Sequence, residues 1–415
     1  MITFAIVAMT ACNNGDNEDI NNGSESIGAP IELDLSPAEM KLTAEGQVFG
    51  IELFSAVNAN ETDKENIVIS PLSLNIALAM VWNGANGETK SAIQKAMGMS
   101  NYPQEEVNAY FKKLSEALPK TDPTTKLALA NSIWTRQDFP VKESFYDVNR
   151  QWYNAKISEL DFNSPTAKDV INQWCSDNTN GLIKEMVKEI PVDIVMYLMN
   201  ALYFKGEWSK GFAFPSNDTK DADFRKENGQ TVKVKMMGQK SEQSYYSDDY
   251  LAHTSLPYGN GAYKMVFMLP NNDASFNGMI ERLKQPEYLS NCLRAGMKRE
   301  VNLFVPRFKI EFETELNKPL EQMGMGIAFT DFADFSGISE IQLCISKVKQ
   351  KTFIEVNEEG TEAAAVTSAE MALASAEGSP LQPVTFRANR PFLFLIQENS
   401  SGAILFMGKI GNSEQ

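Results

Sequence analysis

The sequence NIVISPLS at residues 66–73 joins a short apolar run to a strong helix-start signal. The run IVI is β-branched and uninterrupted, which is typical of a buried strand. Ser70 followed by Pro71 predicts a helix that begins at the proline, because serine is a favoured N-cap and proline fits the first helical position. Apolar residues then cover most of the helix surface, so we expect the strand and the helix to lie deep in a core.

Outward from this point, the chain changes from helical to strand-like patterns. Helical periodicity prevails to about Val187, and apolar or alternating runs prevail after it. This segregation predicts the α+β fold class with large, mostly antiparallel sheets. The chain has 415 residues, of which 43% are apolar, with no linker-like stretch or fixed repeat after residue 31, so one large domain is expected. The strand predictions are residues 196–204, 263–269, 301–308, 353–356, 392–396 and 403–407.

Charge and residue usage exclude several classes of function. The formal net charge is −16, and nucleic-acid binding depends on Lys and Arg releasing counterions, so no nucleic acid is expected as a partner. Four cysteines without a CxxC pair and the single His253 give no expected metal site, and we expect no cofactor. The chain has no GxSxG, HExxH or glycine-rich phosphate motif, so we expect that it is not an enzyme.

Residues 1–12 look like a bacterial lipoprotein signal. An apolar run of small residues ends at Cys12 and is followed by a polar, acidic stretch. This pattern predicts export, diacylation of the Cys12 thiol and a lipid anchor as the sole membrane contact, at the outer membrane or cell surface. A periplasmic or secreted protein is the alternative. Residues 13–40 are predicted to be a flexible tether to a single domain at 41–415.

Several motifs between about residues 42 and 410 resemble the serpin family of serine protease inhibitors and follow the family's order. They are residues 66–73, NALYFKGEW at 200–208, VPRF at 305–308, ADFSGI at 333–338 and NRPFLF at 389–394. The resemblance implies the serpin fold, with about nine helices, three β-sheets and an exposed reactive centre loop at about 358–382. It also implies a monomer.

Residues 356–365, VNEEGTEAAA, resemble the hinge of inhibitory serpins. Past Gly360, small residues occupy one parity and glutamates the other. Alternate residues of a strand face opposite sides, so the segment could join a sheet with its small face inward. A partly helical surface loop is the alternative. The hinge residues are Glu358, Glu359, Gly360, Thr361, Glu362, Ala363, Ala364 and Ala365.

The resemblance implies a suicide-substrate inhibitor. A protease cuts the loop and forms an acyl-enzyme with it, and the hinge side of the loop inserts into the central sheet. The trapped protease then deacylates slowly because its oxyanion hole is deformed. The alternative is a non-inhibitory serpin that acts as a surface binding or carrier protein. Bulky, charged or proline-bearing hinges are common in that class. This hinge has no proline, and its small face has no bulky residue.

The family spacing, counted from Glu358, places the reactive bond at Ala374–Ser375. A count back from Pro391 places it near Glu377. A small residue before the bond favours an elastase-like or subtilisin-like serine protease, and the lack of Lys or Arg between 360 and 382 disfavours trypsin-like targets. A papain-like cysteine protease remains open as a target. The alternative cut sites are Met371, Leu373, Ala376 and Glu377.

By the same resemblance, a group of residues lies where the central sheet opens. Ordinary buried hydrogen bonding is the alternative role for its polar members. The family usually has histidine where this chain has Gln350, which cannot titrate near neutral pH. The group is Ser70, Ser73, Asn200, Trp208 and Gln350.

Overall fold

The computed structural model describes residues 2–12, 28–271, 275–285, 287–360 and 382–413. These residues contain nine α-helices and fifteen β-strands, which confirms the predicted α+β class. The helices are α1 (Pro37–Asn60), α2 (Pro71–Trp82), α3 (Gly87–Ala96), α4 (Gln104–Ala117), α5 (Glu143–Tyr153), α6 (Ala167–Asn178), α7 (Phe276–Leu283), α8 (Tyr288–Ala295) and α9 (Asn317–Leu320).

The predicted start of α2 is confirmed. Ser70 is its N-cap, Pro71 is its first residue, and the Ser70 hydroxyl accepts a hydrogen bond from the Ser73 N–H. Every residue of α2 is buried, as its all-round apolar pattern predicts. This helix therefore lies in the middle of the domain, against both β-sheets.

The strands are β1 (Ile2–Cys12), β2 (Asn66–Ile69), β3 (Lys126–Arg136), β4 (Lys156–Leu160), β5 (Ile194–Lys205), β6 (Lys220–Arg225), β7 (Thr231–Ser247), β8 (Leu251–Tyr258), β9 (Tyr263–Pro270), β10 (Met297–Pro306), β11 (Phe308–Glu315), β12 (Leu343–Val356), β13 (Val384–Arg387), β14 (Phe392–Glu398) and β15 (Ile404–Ile410). All six strand predictions overlap at least one of them, and the prediction at 301–308 spans the end of β10 and the start of β11. Strands β1, β3 and β4 lie in the half of the chain predicted to be mainly helical.

The central sheet has six strands in the order β11-β12-β1-β5-β3-β4. Strand β1 lies between β5 and β12 and is parallel to both, which makes β5 and β12 parallel to each other. The outer pairs β3–β5 and β11–β12 are antiparallel. The most N-terminal strand of the chain therefore occupies the middle of its central sheet.

The other strands form a nine-stranded sheet along β13-β10-β7-β8-β9-β14-β15-β2, with β6 paired to β7. The resemblance implies three sheets, and the 17-residue β7 explains why two of them are continuous here. Its first part pairs with β6 and β10, and only Ser244–Ser247 pair with β8. A four-residue ladder joins the two parts.

The predicted tether at 13–40 is corrected at its C-terminal end. The Ile31 N–H donates to the Thr121 carbonyl at 3.1 Å, and the Leu33 N–H donates to Ser400 Oγ at 2.9 Å. Helix α1 begins at Pro37, with Ser36 and Glu39 forming a capping box. The domain therefore begins earlier than residue 41, since these backbone groups are hydrogen-bonded to it.

No described helix is long and apolar enough to cross a membrane.

Candidate functional site

A tight turn follows β12 at residues 357–360. The Asn357 N–H donates to the Gly360 carbonyl at 3.1 Å, and the Gly360 N–H donates back to the Asn357 carbonyl at 3.3 Å. Gly360 has φ of +117°, and a Cβ there would lie 2.5 Å from the Trp208 nitrogen. A side chain at this position is thus excluded both by the backbone conformation and by space.

The turn ends at Gly360, between the ends of the two strands that flank β1 in the central sheet. Gly360 forms an antiparallel bridge with Glu207, just past the end of β5, and another with Asn357, just past the end of β12. The Trp208 N–H donates to the Glu359 carbonyl at 3.1 Å. Gly360 therefore lies on the line of the strand between β5 and β12.

Trp208 supports this turn from below. Its ring stacks on Tyr258 with centroids 4.5 Å apart, and Nε1 donates to the Asn357 carbonyl at 3.1 Å. The side chain is buried. The backbone and side chain of Trp208 thus each donate one hydrogen bond to the turn, which holds the turn against the domain.

Glu358 anchors the same turn through its carboxylate. Oε1 accepts from Arg307 Nη2 and from Thr219 Oγ1, both at 2.6 Å. Burial raises the pKa of Glu358, but these hydrogen bonds outweigh burial and hold the pKa below its ordinary value. The charged form of Glu358 therefore stabilises the turn.

We expect Glu358→Gln to lower the free energy of unfolding at pH 7 by about 1.5–3 kcal/mol, the usual contribution of a charged hydrogen bond. A carboxylate whose pKa is depressed on folding contributes stability above its unfolded pKa and loses it as the pH falls through the folded value. The difference between wild type and variant should therefore shrink below about pH 4.5. Urea unfolding at pH 7 and pH 3.5 measures it, and an equal difference at both pH values would contradict the assignment.

The polar residues predicted at the sheet opening do come together behind the strands. Gln350 Oε1 accepts from the Ser70 N–H at 3.0 Å, and Gln350 Nε2 donates to the Ser70 carbonyl at 3.0 Å. The Ser73 hydroxyl donates to Asn200 Oδ1, and Asn200 Nδ2 donates to Asn131 Oδ1 at 2.7 Å. All five residues are buried. They link α2 and its N-cap to β5 and β12, the two strands on either side of β1, and to β3, the next strand after β5.

We expect Gln350→His to create a pH dependence at this site. A neutral imidazole can accept from the Ser70 N–H, whereas a buried imidazolium can only donate, so the folded pKa is depressed. Stability then falls as the pH drops below about 6.5, by up to ~1.4 kcal/mol per pH unit. The one native histidine, His253, has its pKa lowered by burial and acts in the same direction. Urea unfolding from pH 8 to 5 should therefore show a steeper slope in the variant, and an unchanged slope would contradict the prediction.

Strand β1, which the sequence pattern assigned to an export signal, fills the middle of the sheet. Phe4, Ile6 and Ala8 point into the main core, and Ala5 and Val7 pack in a second apolar cluster together with residues of α6. The Phe4 ring meets Phe335 edge-on at 4.9 Å. An uninterrupted apolar run is also typical of a strand buried on both faces, and this signal could have indicated β1.

The rest of the predicted site lies outside the described residues. This applies to the five hinge residues after Gly360 and to all candidate cut sites. The lipidation candidate Cys12 is the last residue of β1. In the described part of the chain, no group of three or more His, Cys, Asp or Glu could hold a metal ion.

The chain is similar to known proteins along most of its length. The family model described as "Serpin (serine protease inhibitor)" matches residues 44–413. The leukocyte elastase inhibitor of Sus scrofa is 33% identical, over 90% of this chain and 99% of that protein. The native thermophilic serpin tengpin has a TM-score of 0.81 and 34% identity, covering 93% of this chain and 97% of its own. Human thyroxine-binding globulin has a TM-score of 0.79 and 27% identity, covering 91% of this chain and 100% of its own.

Proposed function

Because the chain belongs to the serpin family of serine protease inhibitors, and is accordingly not an enzyme, we propose that it inhibits its target as a suicide substrate. A protease cuts the reactive loop, which begins after Gly360. The hinge side of the loop then enters the central sheet, and the protease, attached as an acyl-enzyme, is carried along and trapped. The catalytic serine belongs to the target.

The observation that carries this proposal is the position of Gly360. It forms antiparallel bridges with Glu207 and Asn357, just past the ends of β5 and β12 and in line with β1 between them. A chain that continued from Gly360 along this line would run antiparallel to both strands. With β1 removed from the sheet, each residue added could pair with both strands, and ~10 residues at ~0.5–1.5 kcal/mol per net hydrogen bond give on the order of 10 kcal/mol. That is comparable with the whole stability of a domain.

The proposed target is an elastase-like or subtilisin-like serine protease. It would cut this chain at the Ala374–Ser375 bond. The small residue before the bond suits a small primary pocket, and the similarity to a leukocyte elastase inhibitor supports the same class. We further propose that the protein is exported as a lipoprotein through Cys12 and acts as a monomer.

The test is incubation with neutrophil-type elastase and subtilisin, followed by denaturing electrophoresis and mass spectrometry. It uses both the full chain and the exported form, because β1 occupies the sheet that the loop would enter. A denaturant-resistant covalent band and a released fragment that begins at Ser375 are expected from the exported form. Cleavage by many proteases without a covalent band from either form would favour a surface binding or carrier protein, an alternative that the similarity to a thyroxine-binding globulin supports. The mass of the exported N-terminus tests lipidation, which Cys12→Ala should abolish.

A further inference from the structure

Between β5 and β12 the central sheet has one strand position, here called the line. Two segments of this chain are aligned with it. Strand β1 pairs with β5 from Thr3 to Cys12 and with β12 from Ile2 to Ala11. Cys12 lies opposite Phe204, and Gly360 lies opposite Glu207, three residues further along the same chain. Three residues of strand span about 10 Å. The end of β1 and the start of the hinge segment therefore meet on one line.

We propose that Ile2–Cys12 is a built-in occupant of this line that prevents insertion of the reactive loop until it is removed. The effect on inhibition rests on the proposed function, whereas the position of β1 between β5 and β12 does not. Backbone groups of β5 and β12 that pair with β1 cannot pair with a second strand. The loop of a chain that keeps β1 can be cut, but it cannot insert, and the protease deacylates and leaves.

The composition of β1 suits a removable occupant. Phe4, Ile6 and Ala8 are fully buried, which gives the strand apolar contacts on the core side. Thr10 is also fully buried, yet its hydroxyl has no hydrogen-bond partner. An unsatisfied buried hydroxyl weakens the end of β1 that lies nearest to Gly360. The two segments also differ in strand direction. Strand β1 is parallel to β5 and β12, whereas the bridges of Gly360 are antiparallel.

Removal of the occupant coincides with the predicted signal processing. Hydrolysis of the Ala11–Cys12 peptide bond by a signal peptidase adds water across the bond, with the hydroxyl on Ala11 and the hydrogen on the new amino group of Cys12. This single cut releases residues 1–11, which include all of β1 except its last residue. An exported chain would then have a free line for its loop, and an unprocessed chain would not.

The experiment compares wild type with three full-length variants. Ile6→Asp places an unpaired carboxylate at a fully buried position, so β1 should leave the sheet. Ile31→Asp is the matched control, because Ile31 is 60% exposed. Ala8→Pro is a second displacing variant, since proline lacks the N–H that the ladder requires. Circular dichroism identifies any chain that does not fold.

The first readout needs no protease. A fluorescent synthetic peptide with the sequence of residues 2–12 should bind the two displaced variants, and neither wild type nor Ile31→Asp. The second readout is the covalent band with elastase, which should increase roughly tenfold or more in the displaced variants and decrease again when the peptide is bound first.

The two proposals fail in different ways. Equal covalent bands in wild type and displaced variants, or a peptide that binds all four chains or none, would overturn the built-in occupant. Peptide binding to the displaced variants alone, with no covalent band for any chain or protease, would support the occupant and count against inhibition.

Discussion

Ala363→Arg is expected to turn the inhibitor into a substrate of the same protease. If residues after Gly360 enter the sheet as a strand, Ala363 lies on the face whose residues are all small, and that face must pack against the core. Arginine there would place an unpaired charge in an apolar layer and stop insertion. The acyl-enzyme would then hydrolyse at the normal rate, without the ~10²–10³-fold slowing that follows the loss of an oxyanion-hole donor.

The matched control is Glu362→Arg, which puts the same side chain on the opposite face one residue away. It should retain the covalent band, because a long charged side chain on that face can reach water. Both substitutions are made in the Ile6→Asp chain so that β1 does not obscure the result. Gel densitometry of complex against cleaved inhibitor measures the partition. Loss of the band in both variants would contradict the assignment of faces.

Cleavage of the loop is expected to raise the melting temperature sharply when β1 is displaced. Insertion adds a strand with on the order of 10 kcal/mol of net hydrogen bonding, and a domain of this size gains roughly 1–2 °C per kcal/mol. The Ile6→Asp chain should therefore gain on the order of 10–20 °C after cleavage by a non-target protease. The wild-type chain should gain little, because β1 already fills the sheet.

Calorimetry before and after cleavage checks this second expectation. Ile31→Asp is the control and should behave like wild type. No gain in the displaced chain would indicate that the loop does not insert, and would favour a carrier protein. A gain of the same size in wild type would show that the loop can replace β1, and would contradict its role as a block.

Local patterns were sufficient for the elements whose identity depends on neighbours in sequence. Ser70 and Pro71 mark the start of α2, and the strand before it follows from a β-branched run. The hinge composition also belongs to the sequence, because it is residue order that puts small residues at one parity after Gly360 and both glutamates at the other. These features follow from capping chemistry and from the two-residue period of a strand.

Strand pairing across the chain needed the tertiary structure. The apolar residues 2–11 have the length and composition of an export signal and equally those of a strand buried on both faces, so sequence could not choose between them. The choice depends on β5 and β12, which lie about 190 and 340 residues away and present two unpaired edges to the segment. The requirement for glycine at position 360 also depends on distant residues, because Trp208 leaves no space for a side chain there. Sequence thus determined the family, the start of α2 and the composition of the hinge, whereas only long-range backbone pairing decided which segment occupies the centre of the sheet.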